Sequence, residues 1–360
     1  MTEAGQHILP IAVDAMGGDF GSDVVVDGSV EAARSFGIRS ILVGDEATLK
    51  SRLDFHKQIS DDLVQIRHAS QVVTMEESPG SALRGKPQAS VRVAFELVKN
   101  GEAAAVVSTG NTGAIMGAGV LTCGTLPGIA RPAIATMIPK PGTEIPSIML
   151  DVGANVQCSA NQLVQFALMG EAYARCHLGI VKPQVGLLSN GTESSKGTDI
   201  VRLARETLAR MSQINFIGYV EGRDIFSQSV DVLVCDGFVG NVVLKALEGG
   251  MQAAFKEIKR VSSKSLWGRL GALALGPSLK HLGEDKFDPD SFGGAPLLGL
   301  DALGLVCHGS AKSRAVLNAV RTAHELVRHR LVPTIMEALN SLNGADTSVT
   351  SVRTSNGMEN

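Results

Sequence analysis

Residues Ser189 to Thr198 combine the side-chain types that hold a multiply charged anion. Ser189, Asn190 and Gly191 are followed by Glu193, Lys196 and Gly197. Before them, Val185 to Leu188 is an apolar run able to end a buried strand. After them, Asp199 opens an apolar-periodic helix that runs to about Met211. A small polar loop in this position gathers free backbone N–H groups, the positive end of a helix dipole and one ammonium around a single point. The chemistry served by that combination is phosphate binding. Lys196 and Gly197 stand in the reverse of the order that a nucleotide-binding P-loop requires, so the turn is not a Walker loop. The same composition also fits an ordinary Gly/Ser surface loop.

Five further strand ends carry loops of similar character. An apolar run from about Ile8 to Val13 leads into Asp14, Gly17 and Gly18, and Ala104 to Val107 leads into Ser108, Thr109, Gly110, Asn111, Thr112 and Gly113. Ser147 to Leu150 precedes Asp151 and Asn155, and Val230 to Val234 precedes Asp236, Gly237, Gly240 and Asn241. Ala302 to Val306 ends in Cys307, His308 and Gly309, before a helix from Ala311 to Arg328. His308 sits where an imidazole can touch phosphate, and a structural histidine is the other reading of it. In a parallel α/β sheet the carboxyl ends of the strands face one edge, where ligands bind. The expectation is that six turns converge there on one anion pocket.

The elements that must position these loops alternate between strand and helix, which implies an α/β fold with a mostly parallel sheet covered on both faces. A chain of 360 residues, 44% hydrophobic, has enough apolar surface for one large domain or two sub-domains. The domain is expected over 7–341, with a helical insert at about 250–290 and a disordered, Ser/Thr/Asn-rich tail at 342–360. A net charge of −3 and 4% aromatic residues exclude a basic, base-stacking surface, so nucleic acid is not an expected partner. The five cysteines are scattered without a Cys-x-x-Cys pair and read as reduced thiols of a cytosolic protein. No signal-peptide pattern opens the chain, and no apolar run approaches the roughly 20 residues that span a bilayer. Ser78 to Pro87 is Gly/Pro/Ser-rich and reads as a mobile loop.

Other catalytic patterns are missing from the sequence. No Gly-x-Gly-x-x-Gly follows the first strand, and no Gly-x-Ser-x-Gly elbow occurs. His324 and His329 are five residues apart, which turns them away from a common metal on a helix. From Lys256 to Lys286 seven Lys/Arg face three acids, and Leu266, Leu270 and Leu273 recur at helical spacing beside Trp267 and Arg269. This reads as an amphipathic hairpin with an apolar tip and basic flanks, suited to a membrane surface or an acidic protein. A buried dimer-interface hairpin is the alternative for its stems.

Assembled in order, these motifs resemble the PlsX family of phosphate acyltransferases, from about Ile8 to Leu339. The pieces that carry the resemblance are Val13 to Asp19, Ser108 to Ala114, Leu150 to Asn155, Gly191 with Glu193, Lys196 and Gly197, Asp236 to Asn241, and His308 with Gly309. The resemblance implies transfer of an acyl group from acyl carrier protein to inorganic phosphate, giving acyl phosphate for phospholipid synthesis. It also implies a fold similar to phosphotransacetylases and isopropylmalate dehydrogenases, and a homodimer. The expected location is the cytoplasm, peripheral to the inner face of the cell membrane, with an anionic membrane surface and a downstream membrane acyltransferase as partners.

A thioester is already activated, and its thiol has a pKa of about 8.5, so it departs without a strong general acid. The expected division of labour gives phosphate to the backbone of the Asp14, Ser108, Ser189 and His308 turns. Lys196 neutralises charge and Asn241 donates to the carbonyl oxygen. No metal or cofactor is required by this scheme. An acyl-CoA:phosphate transferase would use the same pocket. A decarboxylating dehydrogenase would need metal-binding aspartates and nicotinamide contacts, and a membrane scaffold would need the hairpin alone.

Overall fold

The computed structural model describes residues 8–56, 59–281 and 293–340. The expected tail at 342–360, the first residues of the chain and part of the insert lie outside the described residues. Short apolar stretches give four strands in the first third: β1 (Ile11–Asp14), β2 (Ser40–Gly44), β3 (Val64–His68) and β4 (Ala105–Ser108). β5 (Ala133–Ile138), β6 (Ser147–Leu150), β7 (Gln184–Leu188), β8 (Asn215–Val220) and β9 (Val232–Val234) follow. β10 (Ala295–Leu298) and β11 (Leu303–Val306) complete a sheet of order β3-β2-β1-β4-β11-β10-β5-β6-β9-β7-β8.

Helices fill the connections: α1 (Ser22–Phe36), α2 (Glu46–Leu53), α3 (Pro79–Gly85), α4 (Ser90–Lys99) and α5 (Thr112–Thr122) in the first part, then α6 (Ala160–Leu178) and α7 (Asp199–Ala209). α8 (Gly237–Ser262), α9 (Leu266–His281) and α10 (Ser313–Arg328) come last. α3 corrects the expected mobile loop: Pro79 starts the helix, and the Lys86 ammonium is fixed by Glu77 at 2.7 Å and the Val72 carbonyl at 2.8 Å.

Successive strand residues point to opposite faces, and the core divides accordingly. Ile11, Val13, Ala105, Val107, Ile148, Leu150, Val232 and Val234 join α1, α6, α7 and α10 in one cluster. Ala12, Val106, Met149 and Leu233 join α4, α5 and the root of α8 in the other.

The pairing overturns the expectation of a single common edge. β1, β2, β3, β4 and β11 run parallel to one another. β10 is antiparallel to both β11 and β5, and β5 is antiparallel to β6. β6, β9, β7 and β8 are mutually parallel, so they run against the first set. The turns after β1, β4 and β11 therefore leave one edge, and those after β6, β7 and β9 leave the other.

Candidate active site

Three turns interlock around Asp14, which ends β1 and is buried. Its carboxylate accepts the Ser108 hydroxyl at 2.6 Å and the Met16 N–H at 3.3 Å. Burial pushes the Asp14 carboxyl above the usual carboxylate range, against the opposing hydrogen bonds from Ser108, Ser90 and Met16. Gly17 lies flat against Gly110: a Cβ there would sit 2.7 Å from the Gly110 Cα. Thr109 Oγ1 donates to the Gly17 carbonyl at 3.0 Å, the ring of contacts includes Gly18 beside Thr109, and Asp19 N–H donates to the Gly309 carbonyl at 2.8 Å. Asn111 caps α5 by accepting from Ala114 N–H at 3.1 Å, and its amide holds the Met75 carbonyl at 2.9 Å. Gly113 packs on Pro79, at the start of α3.

A second knot surrounds Asp151, at the end of β6. It accepts the backbone N–H groups of Ile134 at 3.0 Å, Gly153 at 3.3 Å, Ala154 at 3.0 Å and Asn155 at 2.7 Å, and the Asn155 amide at 2.9 Å. Burial pushes this carboxyl up as well, and those hydrogen bonds oppose it. Gly237 N–H donates to the Asn155 carbonyl at 2.8 Å, and a Cβ on Gly240 would fall 1.9 Å from the Asp151 carbonyl oxygen. Asp236 caps α8, accepting from Val239 N–H at 2.8 Å. Together these contacts fix the root of α8 and set Asn241 beside Gly153.

Between the two knots lies a cavity of about 960 Å³. It brings together Gly110, Thr112 and His308 from the first knot with Val152 and Asn241 from the second. β5 and β10 form its floor, lined by Ile134, Ile138 and Ala295, and α8 forms a long, largely apolar wall. Thr112 and Gly113 are the first residues of α5, whose N–H groups have no partner within the helix. His308 Nδ1 lies 2.7 Å from the Ser310 hydroxyl, which orients the ring. Strands of opposite direction thus feed one space: the residues meet across the reversal, not along a shared edge.

The turn after β7 stands apart. Ser189, Asn190, Gly191, Glu193 and Lys196 do not line this cavity within one chain. The turn is well built in its own right: Ser189 N–H donates to the Val220 carbonyl at 2.9 Å, and Asn190 Oδ1 accepts from Gly197 N–H at 3.0 Å. The side chains of Glu193 and Lys196 pack over the buried Gly191, and Lys196 is half-buried. Among the described residues Lys196 has no ion-pair partner.

Sequence reasoning passed over Asp151 as the centre of a knot and missed Phe226, Leu244, Leu247, Met251 and Phe255 in the cavity wall. The last four recur at three- and four-residue spacing, a helical signal available in the sequence. Burial pushes the thiols of Cys123 and Cys158 up to about 11, and those of Cys176 and Cys235 above their ordinary value, so these four are held away from the nucleophilic thiolate. Among the described residues no group of three or more His, Cys, Asp and Glu is placed to hold a metal. No described helix is long and apolar enough to cross a membrane. α9 presents Trp267 (85% exposed), Leu270 and Leu273 to solvent, while Arg269 Nε donates to the Ser263 carbonyl at 3.0 Å.

The sheet and its helices make an α/β fold similar to that of phosphotransacetylases. Over 92% of its length the chain superposes on 94% of the EutD phosphotransacetylase from Staphylococcus aureus, with a TM-score of 0.57 at 15% identity. Residues 9–333 match the family described as "Fatty acid synthesis protein". A phosphate acyltransferase of Trichlorobacter lovleyi is 46% identical over 337 residues, covering 94% of this chain and 96% of that protein. One from Geobacter sulfurreducens is 48% identical over 322 residues, covering 89% and 91%. The chain belongs to this family, the PlsX phosphate acyltransferases, and is an acyltransferase.

Proposed function

We propose that the protein transfers a long-chain fatty acyl group from acyl carrier protein to inorganic phosphate, releasing acyl phosphate for phospholipid synthesis. The observation that carries this reading is the single cavity that joins the Gly110, Thr112 and His308 turns to Asn241 and continues as an apolar wall. Phosphate sits against the first-turn N–H groups of α5 and the His308 turn, held by dipole and hydrogen bonds. A phosphate oxygen attacks the thioester carbonyl, forming the C–O bond. The C–S bond then breaks, and the carrier thiol leaves as thiolate and takes a proton from solvent. Asn241 donates to the oxyanion, and loss of such a donor typically costs about 10² to 10³ in rate.

Asp14 and Ser108 act behind this surface by locking Gly17 against Gly110. Lys196 lies outside the cavity of its own chain, so its neutralising role belongs to a homodimer in which a second copy delivers it. Exposed Phe238 and Val242 on the outer side of α8 supply an apolar face for that copy. Lys256, Lys259 and Lys264, with the exposed Trp267, Leu270 and Leu273 on α9, suit an acidic carrier and an anionic membrane surface. On that reading the enzyme works in the cytoplasm at the inner face of the membrane and passes its product to a membrane acyltransferase.

The test is thiol release from palmitoyl carrier protein, palmitoyl-CoA and acetyl-CoA, with and without phosphate. Phosphate-dependent release that favours the carrier donor supports the proposal. Equal or better use of short-chain acyl-CoA would replace it with a phosphotransacetylase-type activity, and phosphate-independent release would remove phosphate as acceptor.

A further inference from the structure

We infer that the α8 wall of the cavity measures the acyl chain, with Asn241 at the carbonyl end and Phe255 at the methyl end; this rests on the acyl-transfer reading above. Asn241, Leu244, Leu247, Met251 and Phe255 all line the same cavity. Their spacing puts them on one face of α8, in a row directed away from the Asp151 knot. Lys245 and Glu248, also in this wall, neutralise each other at 2.8 Å, so no unpaired charge from them interrupts the apolar row. Ile134 and Ile138, on one face of β5, and Phe226 line the same cavity. The chain just after β5 is tied down by Lys140, whose ammonium reaches the Val230 carbonyl and the Asp231 carboxylate, each at 3.2 Å.

The length fits one class of occupant. From Asn241 to Phe255 is fourteen positions, about 21 Å at about 1.5 Å per residue. An all-trans hydrocarbon with bonds of about 1.5 Å advances about 1.25 Å per carbon, so the wall spans about 16 carbons. Leu247 lies about 9 Å from Asn241, or about seven carbons, and Met251 about 15 Å, or about 12 carbons. Each methylene buried against this wall raises affinity about fourfold until the wall ends. A saturated chain of about 16 carbons therefore fills it, whereas an eight-carbon chain stops near Leu247.

A graded series of blocks tests the ruler: Leu247→Trp, Met251→Trp and Phe255→Ala. Two readings are taken on each: kcat/KM for phosphate-dependent thiol release from acyl carriers of 8 to 18 carbons, and displacement of cis-parinarate by free fatty acids of the same lengths. Leu247→Trp is expected to lower the palmitoyl-to-octanoyl ratio of kcat/KM at least about 30-fold, which is less than three methylenes at about fourfold each. Met251→Trp shifts the preferred length to about 12 carbons, and Phe255→Ala extends it beyond 16. The displacement profiles shift in the same order. Equal losses at all lengths, or unchanged length preference, would overturn the ruler even if transfer to phosphate is confirmed. Shifted displacement profiles in a protein that lacks phosphate-dependent release would leave the ruler standing and remove the transfer reading.

Discussion

Two buried aspartates, Asp14 and Asp151, end strands on opposite sides of the cavity, and each anchors a turn that a neighbouring glycine packs against. Asp151 is surrounded by donors: four backbone N–H groups and the Asn155 amide converge on it. Asp14 has fewer partners: it holds the Ser108 hydroxyl at 2.6 Å and the Met16 N–H loosely at 3.3 Å, with Ser90 as a further hydrogen-bonding neighbour. The saturated knot is a latch that roots α8. The sparser knot instead brings two glycine backbones together, Gly17 on Gly110, beside the α5 N-terminus that lines the cavity. The difference separates a group that sustains the fold from one that shapes the side of the cavity proposed for phosphate.

The largest expected effect is on the latch. Asp151→Ala leaves several buried N–H groups unpaired, at about 1–3 kcal/mol for each group that water cannot reach, so a stability loss of about 4 kcal/mol is expected in denaturant unfolding. Asp14→Ala should cost about 2 kcal/mol, since it frees fewer buried donors and the hydroxyls among them can turn to other acceptors. Equal losses would erase the distinction between the knots. Next comes Gly240→Ala, whose Cβ would meet the Asp151 carbonyl oxygen at 1.9 Å; overpacking of this kind costs about 3 kcal/mol. Gly17→Ala meets the Gly110 backbone at 2.7 Å and is expected to show its effect in turnover: about 10²-fold lower kcat/KM at a smaller stability cost, because displacement by a fraction of an ångström misaims phosphate. A Gly17→Ala enzyme with normal kcat/KM would detach the first knot from the chemistry.

The smallest effect is in pH dependence. Burial raises the Asp14 carboxyl, so the native state holds its proton more tightly than the unfolded chain does. Stability from this source is complete below the unfolded value of about 4 and is lost as pH rises from there through the folded value. Asp14→Asn removes that loss. Its stability relative to the parent protein should therefore improve as pH rises above about 4, as read from urea midpoints across pH. A relative decline over the same range would show that the Ser108 hydrogen bond outweighs burial.

Much of this was legible in sequence because it is local. Apolar runs followed by small polar turns located the strands, and the motifs from Asp14 to His308 identified the family. The helical spacing of Leu244, Leu247, Met251 and Phe255 was legible in principle, although their shared floor was not. What local pattern could not carry was direction. β10 is four residues long, contains Pro296 and follows Gly293 and Gly294, so it reads as a loop. Its antiparallel register with β11 and β5 leaves β5 running with β11, and the antiparallel β5–β6 pair then reverses the second half of the sheet. The turns of β6 and β9 sit beside that reversal, which puts Asn241 in one cavity with Gly110 and His308, whereas β7 lies one strand further out and Lys196 stays outside the cavity of its own chain.

The most direct measurement of the central claim is where phosphate binds. In a crystal structure of the protein with orthophosphate, the anion is expected in the cavity, against the first turn of α5 and the His308 turn, with Asn241 facing the same space. Phosphate found only at the Ser189 to Thr198 turn, with the cavity holding none at saturating concentration, would contradict the account.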